Sequence, residues 1–204
     1  MKQSEKSEIT RAKILASAET EFANNGLSAS RVDSIAKNAG VNKQLIYAHF
    51  ESKENLYSVV LENVYSRLAE FENKVSEKEF TGISVIRDVI LDYFDFLLTN
   101  PSFVRLMLWE NINNASYVKE TGRGLFEGVT KLLKTGIEKG VISSDIDVMQ
   151  TSMSVNMFCF SAFSNIHTMS KLLGLDLSVS DEMKKRADHI ADVIIKYISK
   201  DYSK

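Results

Sequence analysis

The stretch "SIAKNAGVNKQLIYAHF", residues 34–50, carries Lys37 and Lys43 and no acidic residue. Lys43, Gln44, Leu45 and Tyr47 stand within five positions, with Asn42 just before them and His49 and Lys53 just after. This set suits the edges of base pairs: lysine can bond guanine O6 and N7, glutamine can pair with adenine, and leucine can touch the thymine methyl. Tyr47, His49 and Lys53 suit phosphate oxygens instead. Ser30, beside Arg31, would add its hydroxyl and nearby backbone amides as an anion site at a helix start. Specificity and affinity would then come from different side chains. The same pattern fits a polar helical hairpin within a bundle, and the residues alone leave both readings open.

Such side chains need a rigid frame, and the sequence predicts a helical one. The 204 residues include one proline, and apolar positions recur at helical rather than strand spacing. A helix is expected over 8–25, with Ile14, Leu15, Ala18 and Phe22 on one face and Gly26 as a left-handed stop. A short helix over 31–38 follows, capped by Ser30, with Asp33 placed to answer the cap and favour the dipole. Gly40 gives the turn its backbone freedom. Asn42 then caps a helix over 43–50, and Ser52 a fourth. Ile46 and Phe50 would pack inward with Ile35, Ala36 and Val41, leaving Lys43, Gln44, Tyr47 and Ala48 outward and Leu45 at the margin. Two short helices joined in this way make a helix-turn-helix.

Composition narrows the remaining classes. With 44% hydrophobic and 25% charged residues, the chain can bury a substantial core. Its formal charge of -2 hides a balanced N-terminal stretch, since residues 1–56 hold eight Lys/Arg against seven Asp/Glu. One cysteine and three histidines are too few for a disulfide framework or a structural zinc site, so no metal is expected. The polar start "MKQSEKSEIT" and the lack of any long apolar run point to a cytoplasmic protein with no membrane association. Nor does enzyme chemistry emerge. Cys159 and His167 lie about 12 Å apart along one expected helix, too far for a nucleophile and its base. Phosphate loops, His-Glu-x-x-His pairs and nucleophile elbows are missing from the sequence, and Asp145 and Asp147 read as capping groups. Neither catalytic residues nor a cofactor are expected.

Beyond residue 52 a long helix is expected over 53–75, with Leu56, Val60, Val64, Leu68 and Phe71 as its buried stripe. Helices over 84–99 (Ile86, Ile90, Tyr93, Phe94, Leu97), 101–113 and 124–139 follow, Pro101 taking a first-turn position. Residues 148–170 hold no Asp, Glu, Lys or Arg, and a helix over 148–173 would have to be buried on every face. One of its stripes is small or branched: Val148, Ser152, Val155, Cys159, Ala162 and Ile166. A quarter turn away lie Met149, Met153, Phe160 and His167, with Met157 at the edge. These larger side chains, with Tyr93, Phe103, Met107, Trp109 and Phe126, could line a pocket for a small apolar or amphipathic molecule, oriented by Asn111, Asn156 or His167. A plain core accounts for the same spacing. A last helix over 180–199 adds Met183, Ala187, Ile190, Ile194 and Tyr197.

Residues 10–57 resemble the N-terminal domain of the TetR (tetracycline-repressor) family of bacterial transcription regulators. The matching elements are Ile14 and Phe22 with Gly26, "SIAKNAGV" at 34–41, "IYAHF" at 46–50 and "SKENL" at 52–56. The resemblance implies an all-α protein with a three-helix helix-turn-helix DNA-binding domain over 1–52 and a larger C-terminal helical domain, 53–204, for ligand binding and dimerisation. It further implies a homodimer that binds a partly palindromic double-stranded DNA operator and is released by a small-molecule effector, most simply a repressor. Base reading would fall on Asn42, Lys43, Gln44 and Leu45, and phosphate contact on Tyr47, His49 and Lys53. Arg31, Gln44 and Ala48 depart from the family's usual residue types. Dimerisation would use Ser152, Val155, Cys159, Ala162 and Ile166 with Ala187, Ile190 and Ile194, although an intrachain core explains the same stripe. A regulator without a small-molecule effector, or an activator, is the alternative.

Overall fold

The computed structural model describes residues 3–118 and 127–200. Among them are ten helices: α1 Gln3–Ala29, α2 Val32–Ala39, α3 Lys43–Phe50, α4 Lys53–Glu77, α5 Ser84–Thr99, α6 Pro101–Ile112, α7 Glu127–Glu138, α8 Val148–Ser164, α9 Ile166–Leu173 and α10 Ser180–Ile198. The described residues contain no strand, only one isolated bridge between Ile142 and Ser199. None of these helices is long and apolar enough to cross a membrane. The expected all-helical architecture is therefore the observed one. The chain divides into two compact units, residues 1–67 with 102–120 and residues 68–101 with 121–204.

In the first unit α1 starts earlier than expected, and Gly26 interrupts it where the stop is expected. Gly26 takes φ 68°, ψ 175°, which kinks the helix, and one more turn runs on to Ala29. Ile14, Ala18 and Phe22 are buried, together with Ile35, Ile46, Phe50, Leu56 and Leu106. The Tyr57 ring stands edge-on to Phe22, with centroids 5.0 Å apart, and completes this core.

The second unit is built around α5, whose Ile86, Val89, Ile90, Tyr93 and Leu97 are buried. It packs against α8 and α10, and α7 packs against α8. Gly136 lets α7 come close, since a Cβ there would lie 2.5 Å from Ile142 Cδ1. The single helix expected over 148–173 is two helices, broken at Asn165 (φ -106°, ψ 5°). Asn165 Nδ2 donates to Ser161 O and to Ser164 Oγ. Such short polar side chains compete with the helical ladder, and here they end it. Nor is the segment buried on every face: Met149, Met157, Phe158, Met169 and Leu172 are exposed, and α9 buries no residue.

Candidate nucleic-acid interface

α3 begins where the sequence places it, because Asn42 Oδ1 accepts the Leu45 N–H at 2.8 Å and so satisfies an amide the helix start would leave open. Gly40, at φ 68°, ψ 33°, ends α2, and Val41 N–H donates to Ala36 O at 3.0 Å. On the inner side Ile46 and Phe50 of α3 and Val32, Ile35 and Ala36 of α2 are buried, with Val41 half-buried. The Arg11 guanidinium lies 5.2 Å from the centre of the Phe50 ring. Asn42, Lys43, Gln44, Leu45, Tyr47 and Ala48 are all exposed on the outer side, and His49 is half-buried.

Several polar side chains around this face bond differently from the sequence expectation. Asp33 stands in the first turn of α2, where its charge favours the dipole, but it makes no cap bond; its Oδ2 lies 3.1 Å from Lys43 Nζ, an exposed pair of little energetic weight that orients the lysine. Arg31, not Ser30, is the N-cap residue of α2, and it makes no side-chain cap. The N–H of Arg31 itself is taken by α1, where Glu21 Oε1 accepts it at 3.1 Å, the part a carboxylate three residues into the helix plays in a local capping box. Ser30 is buried, and its hydroxyl donates to Gly26 O and Glu21 O, carbonyls brought to it by the kink. That hydroxyl is therefore not open to a phosphate. Lys53 is half-buried, its Nζ donating to Ser28 O at 3.4 Å and Ser30 O at 3.3 Å. Glu21 gave no local signal, lying ten residues upstream of the amide it serves.

The side chains expected in a ligand pocket fall into both units. In the first, Phe103 is buried, Asn111 is exposed, and half-buried Met107 accepts the Tyr65 hydroxyl on its sulfur at 2.8 Å. Trp109 is half-buried and donates its Nε1–H to Ala23 O at 3.3 Å. In the second, the buried Tyr93 hydroxyl donates to Glu72 Oε1 at 2.9 Å, and burial first, then Glu72, holds that phenol above its ordinary range. Asn156 is buried with its Nδ2 donating to Ser152 O, Met153 and Phe160 are half-buried, and Met157 and His167 are exposed. Exposure takes Asn111, Met157 and His167 away from any enclosed lining in their own units. Phe126 lies outside the described residues.

Two buried carboxylates escaped the sequence reading. Glu72 and Glu110 are 3% and 1% exposed. Each sits at a core position of its helix, as Leu68, Glu72, Val75 and Phe103, Leu106, Glu110 show, so a carboxylate on an apolar stripe was the available signal.

The stripe expected to serve dimerisation packs largely inside the chain, as the intrachain alternative has it. Ser152, Val155, Cys159, Ala187, Ile190 and Ile194 are buried within their own chain, and Ala162 and Ile166 are half-buried. Close packing of α10 on α5 and α8 consumes these small and branched side chains. Burial also pushes the Cys159 thiol up to about 12. What these helices expose is Met149, Met157 and Phe158 of α8 and Val193 and Tyr197 of α10. A groove of about 360 Å³ is lined by Ala162, Met169, Leu173, Leu177 and Met183, with Glu182 and Arg186 among its polar groups.

The family model for bacterial regulatory proteins of the tetR family matches residues 14–60, and that for the tetracyclin repressor-like C-terminal domain matches residues 83–194. The chain is 26% identical over 193 residues to the HTH-type transcriptional repressor NicS of Pseudomonas putida, covering 92% of this chain and 91% of that one. It is 31% identical over 198 residues to an HTH-type transcriptional repressor of Streptomyces coelicolor, covering 91% and 96%. Its fold matches the crystal structure of the transcriptional regulator FadR from Bacillus subtilis in complex with stearoyl-CoA, with TM-score 0.70, 20% identity and coverage of 92% of this chain and 99% of that one. With both halves matched and a curated relative of this identity along nearly its whole length, the chain belongs to the TetR family of bacterial transcription regulators.

Proposed function

We propose that this chain is a ligand-responsive transcriptional repressor, a homodimer whose residues 1–52 read a palindromic double-stranded operator and whose residues 53–204 bind the releasing effector. The observation that carries the reading is the two-sidedness of α3: Ile46 and Phe50 are sealed in the core while Lys43, Gln44, Leu45 and Tyr47 stand exposed together. A helix so anchored can enter a major groove without moving its support. Lys43, Gln44 and Leu45 contact base edges, with Asn42 offering its free amide nitrogen beside them. Tyr47, His49, Arg31 and the remaining proton of Lys53 take phosphates. Ser30 leaves the contact set and acts as a brace of the turn.

Exposed Met149, Met157, Phe158, Val193 and Tyr197 support pairing through α8 and α10, since so many large apolar groups in open water favour a second copy. The effector is a small apolar or amphipathic molecule. Soft and aromatic side chains support this, namely Met153, Phe160 and Tyr93 in one unit and Phe103 and Met107 in the other. The match to FadR, which holds stearoyl-CoA, supports it too. Effector binding shifts the two heads away from the separation of about 34 Å that successive major grooves require.

The test is selection from a random duplex library with purified protein at moderate salt. An enriched inverted repeat supports a dimeric operator reader and supplies the probe for effector screening. Retention without enrichment, falling simply as salt rises, overturns the reading.

A further inference from the structure

The turn that delivers α2 and α3 is shaped at Gly26, whose φ 68°, ψ 175° is open essentially only to glycine. Against that glycine lies the flat face of Trp109 from α6. A Cβ on Gly26 would stand 2.9 Å from Trp109 Cδ2 and Cε3 and 3.1 Å from Cε2, so the indole occupies the space that any other residue would need. Its Nε1–H donates to Ala23 O, one turn before the kink. The carbonyl of Gly26 is held from the other side by Ser30, through both its hydroxyl and its N–H.

Two further contacts lock α6 along α1. Ser102 donates to Glu19, which also pairs with Arg67, and Arg105 donates to Asn24. Positions 102, 105 and 109 share one helix face, so Trp109 is the last tooth of a continuous seam and sits where α1 bends. Across the bend, Glu21 on the near side receives the Arg31 N–H from the far side and suspends the start of α2.

We propose that Trp109 is a positioning residue for DNA recognition: its ring, clamped on Gly26, fixes the bend that sets α2 and α3 for operator reading. The inference rests on the operator-reading proposal above. It assigns to α6 a direct hold on the reading head through one named contact. An indole held in place gives a head with one orientation; a loosened one gives a head that still meets phosphates but loses register with the bases.

The experiment uses the full chain and the duplex enriched by selection, alongside a random duplex of equal length. W109L removes the flat ring, whereas W109F keeps a flat aromatic ring and loses the N–H together with the indole's second ring. The ratio of operator to random-duplex affinity is expected to fall at least about tenfold in W109L, with random-duplex binding and its salt slope unchanged, and to be largely retained in W109F. Simple loss of folded protein would lower both affinities together and leave the ratio intact. A wild-type ratio in W109L overturns the inference, as does an equal fall in W109F. Should W109L fail to fold, the wild-type chain decides, because its one tryptophan can carry a single fluorine label. A 5-fluorotryptophan resonance that changes with operator and not with random duplex supports the joint, and identical spectra with both overturn it. If the wild type enriches no duplex, the operator reading itself fails before any variant is compared.

Discussion

Removing the Tyr57 hydroxyl isolates one buried interaction. Glu110 is 1% exposed, its Oε1 accepts the Tyr57 hydroxyl at 2.8 Å, and its Oε2 accepts the Tyr117 N–H at 3.0 Å. It makes no ion pair among the described residues, so two neutral donors replace the water it has lost. The phenol is held above its ordinary range by burial first and then by this carboxylate, and it stays a donor throughout the neutral range. Y57F keeps the ring, and with it the edge contacts to Phe22 at 5.0 Å and Tyr117 at 5.3 Å, so the change is confined to the hydrogen bond. A bond to a charged group contributes about 1.5–3 kcal/mol and its buried acceptor is left bare, so Y57F should destabilise the protein by about 2 kcal/mol. E110Q should cost less, because its amide oxygen still accepts and the Tyr57 hydroxyl can rotate to accept from the new NH2. Urea unfolding at fixed protomer concentration measures both, with Trp109 emission reporting the unit that contains the pair and far-UV circular dichroism the whole chain. A Y57F variant within about 0.5 kcal/mol of wild type would refute the reasoning, since surface substitutions alone span that range.

N42A should lower stability by about 1 kcal/mol through loss of the α3 cap, read by thermal melting, and an unchanged melt would place the cap's contribution elsewhere. K43A should relax base preference in the selected operator while Y47F weakens binding to all duplexes alike, and equal effects on every sequence from both would sink that division of labour. At alkaline pH the buried Cys159 thiol, held up to about 12 against 9.0 when exposed, keeps its proton after the unfolded chain has lost its own. Stability present below pH 9 is therefore lost as pH rises, at about 1.4 kcal/mol per pH unit, and C159A should flatten that loss; the window below pH 10 is cleanest, before tyrosines such as Tyr65, itself held up to about 12, join in. M157E puts a charge on the exposed face of α8 and should shift sedimentation toward monomer and weaken inverted-repeat binding, whereas an unchanged dimer would move the interface off this face.

Where structure follows from neighbours in sequence, the reading was close. α3 and α5 have the bounds that their spacing predicts, because Asn42 caps α3 three residues from the amide it serves and the α5 apolar positions recur through the whole element. Gly26 and Gly40 both take positive φ, as expected for glycines ending apolar-periodic segments. What failed was chemistry supplied from a distance. The start of α2 has a serine and an aspartate in the right order for a local capping box, yet Glu21 on another helix serves its amide and Asp33 turns to Lys43 instead. Capping patterns describe what a segment can do alone; the kink at Gly26 brings a stronger acceptor into reach and releases both local candidates.

α8 shows a second limit, and it bears on how the protein assembles. A sequence of 23 residues without a charge implies that water is excluded from most of its surface, but not whether its own chain or another excludes it. The structure separates the two. Small and branched Ser152, Val155 and Cys159 are buried by the chain itself, where tight helix approach rewards small side chains, while Met149, Met157 and Phe158 stay in contact with solvent. Small residues suit close helix approach at any interface, and that same property is what fits them for the intrachain seam. The flexible, soft side chains left outside suit a surface that must meet a partner after folding, since methionine tolerates the imperfect fit of two rigid bodies better than a branched side chain does. On α8 the absence of charge then follows from the core that folding buries on one face, and the proposed pairing with a second copy would account for it on the other.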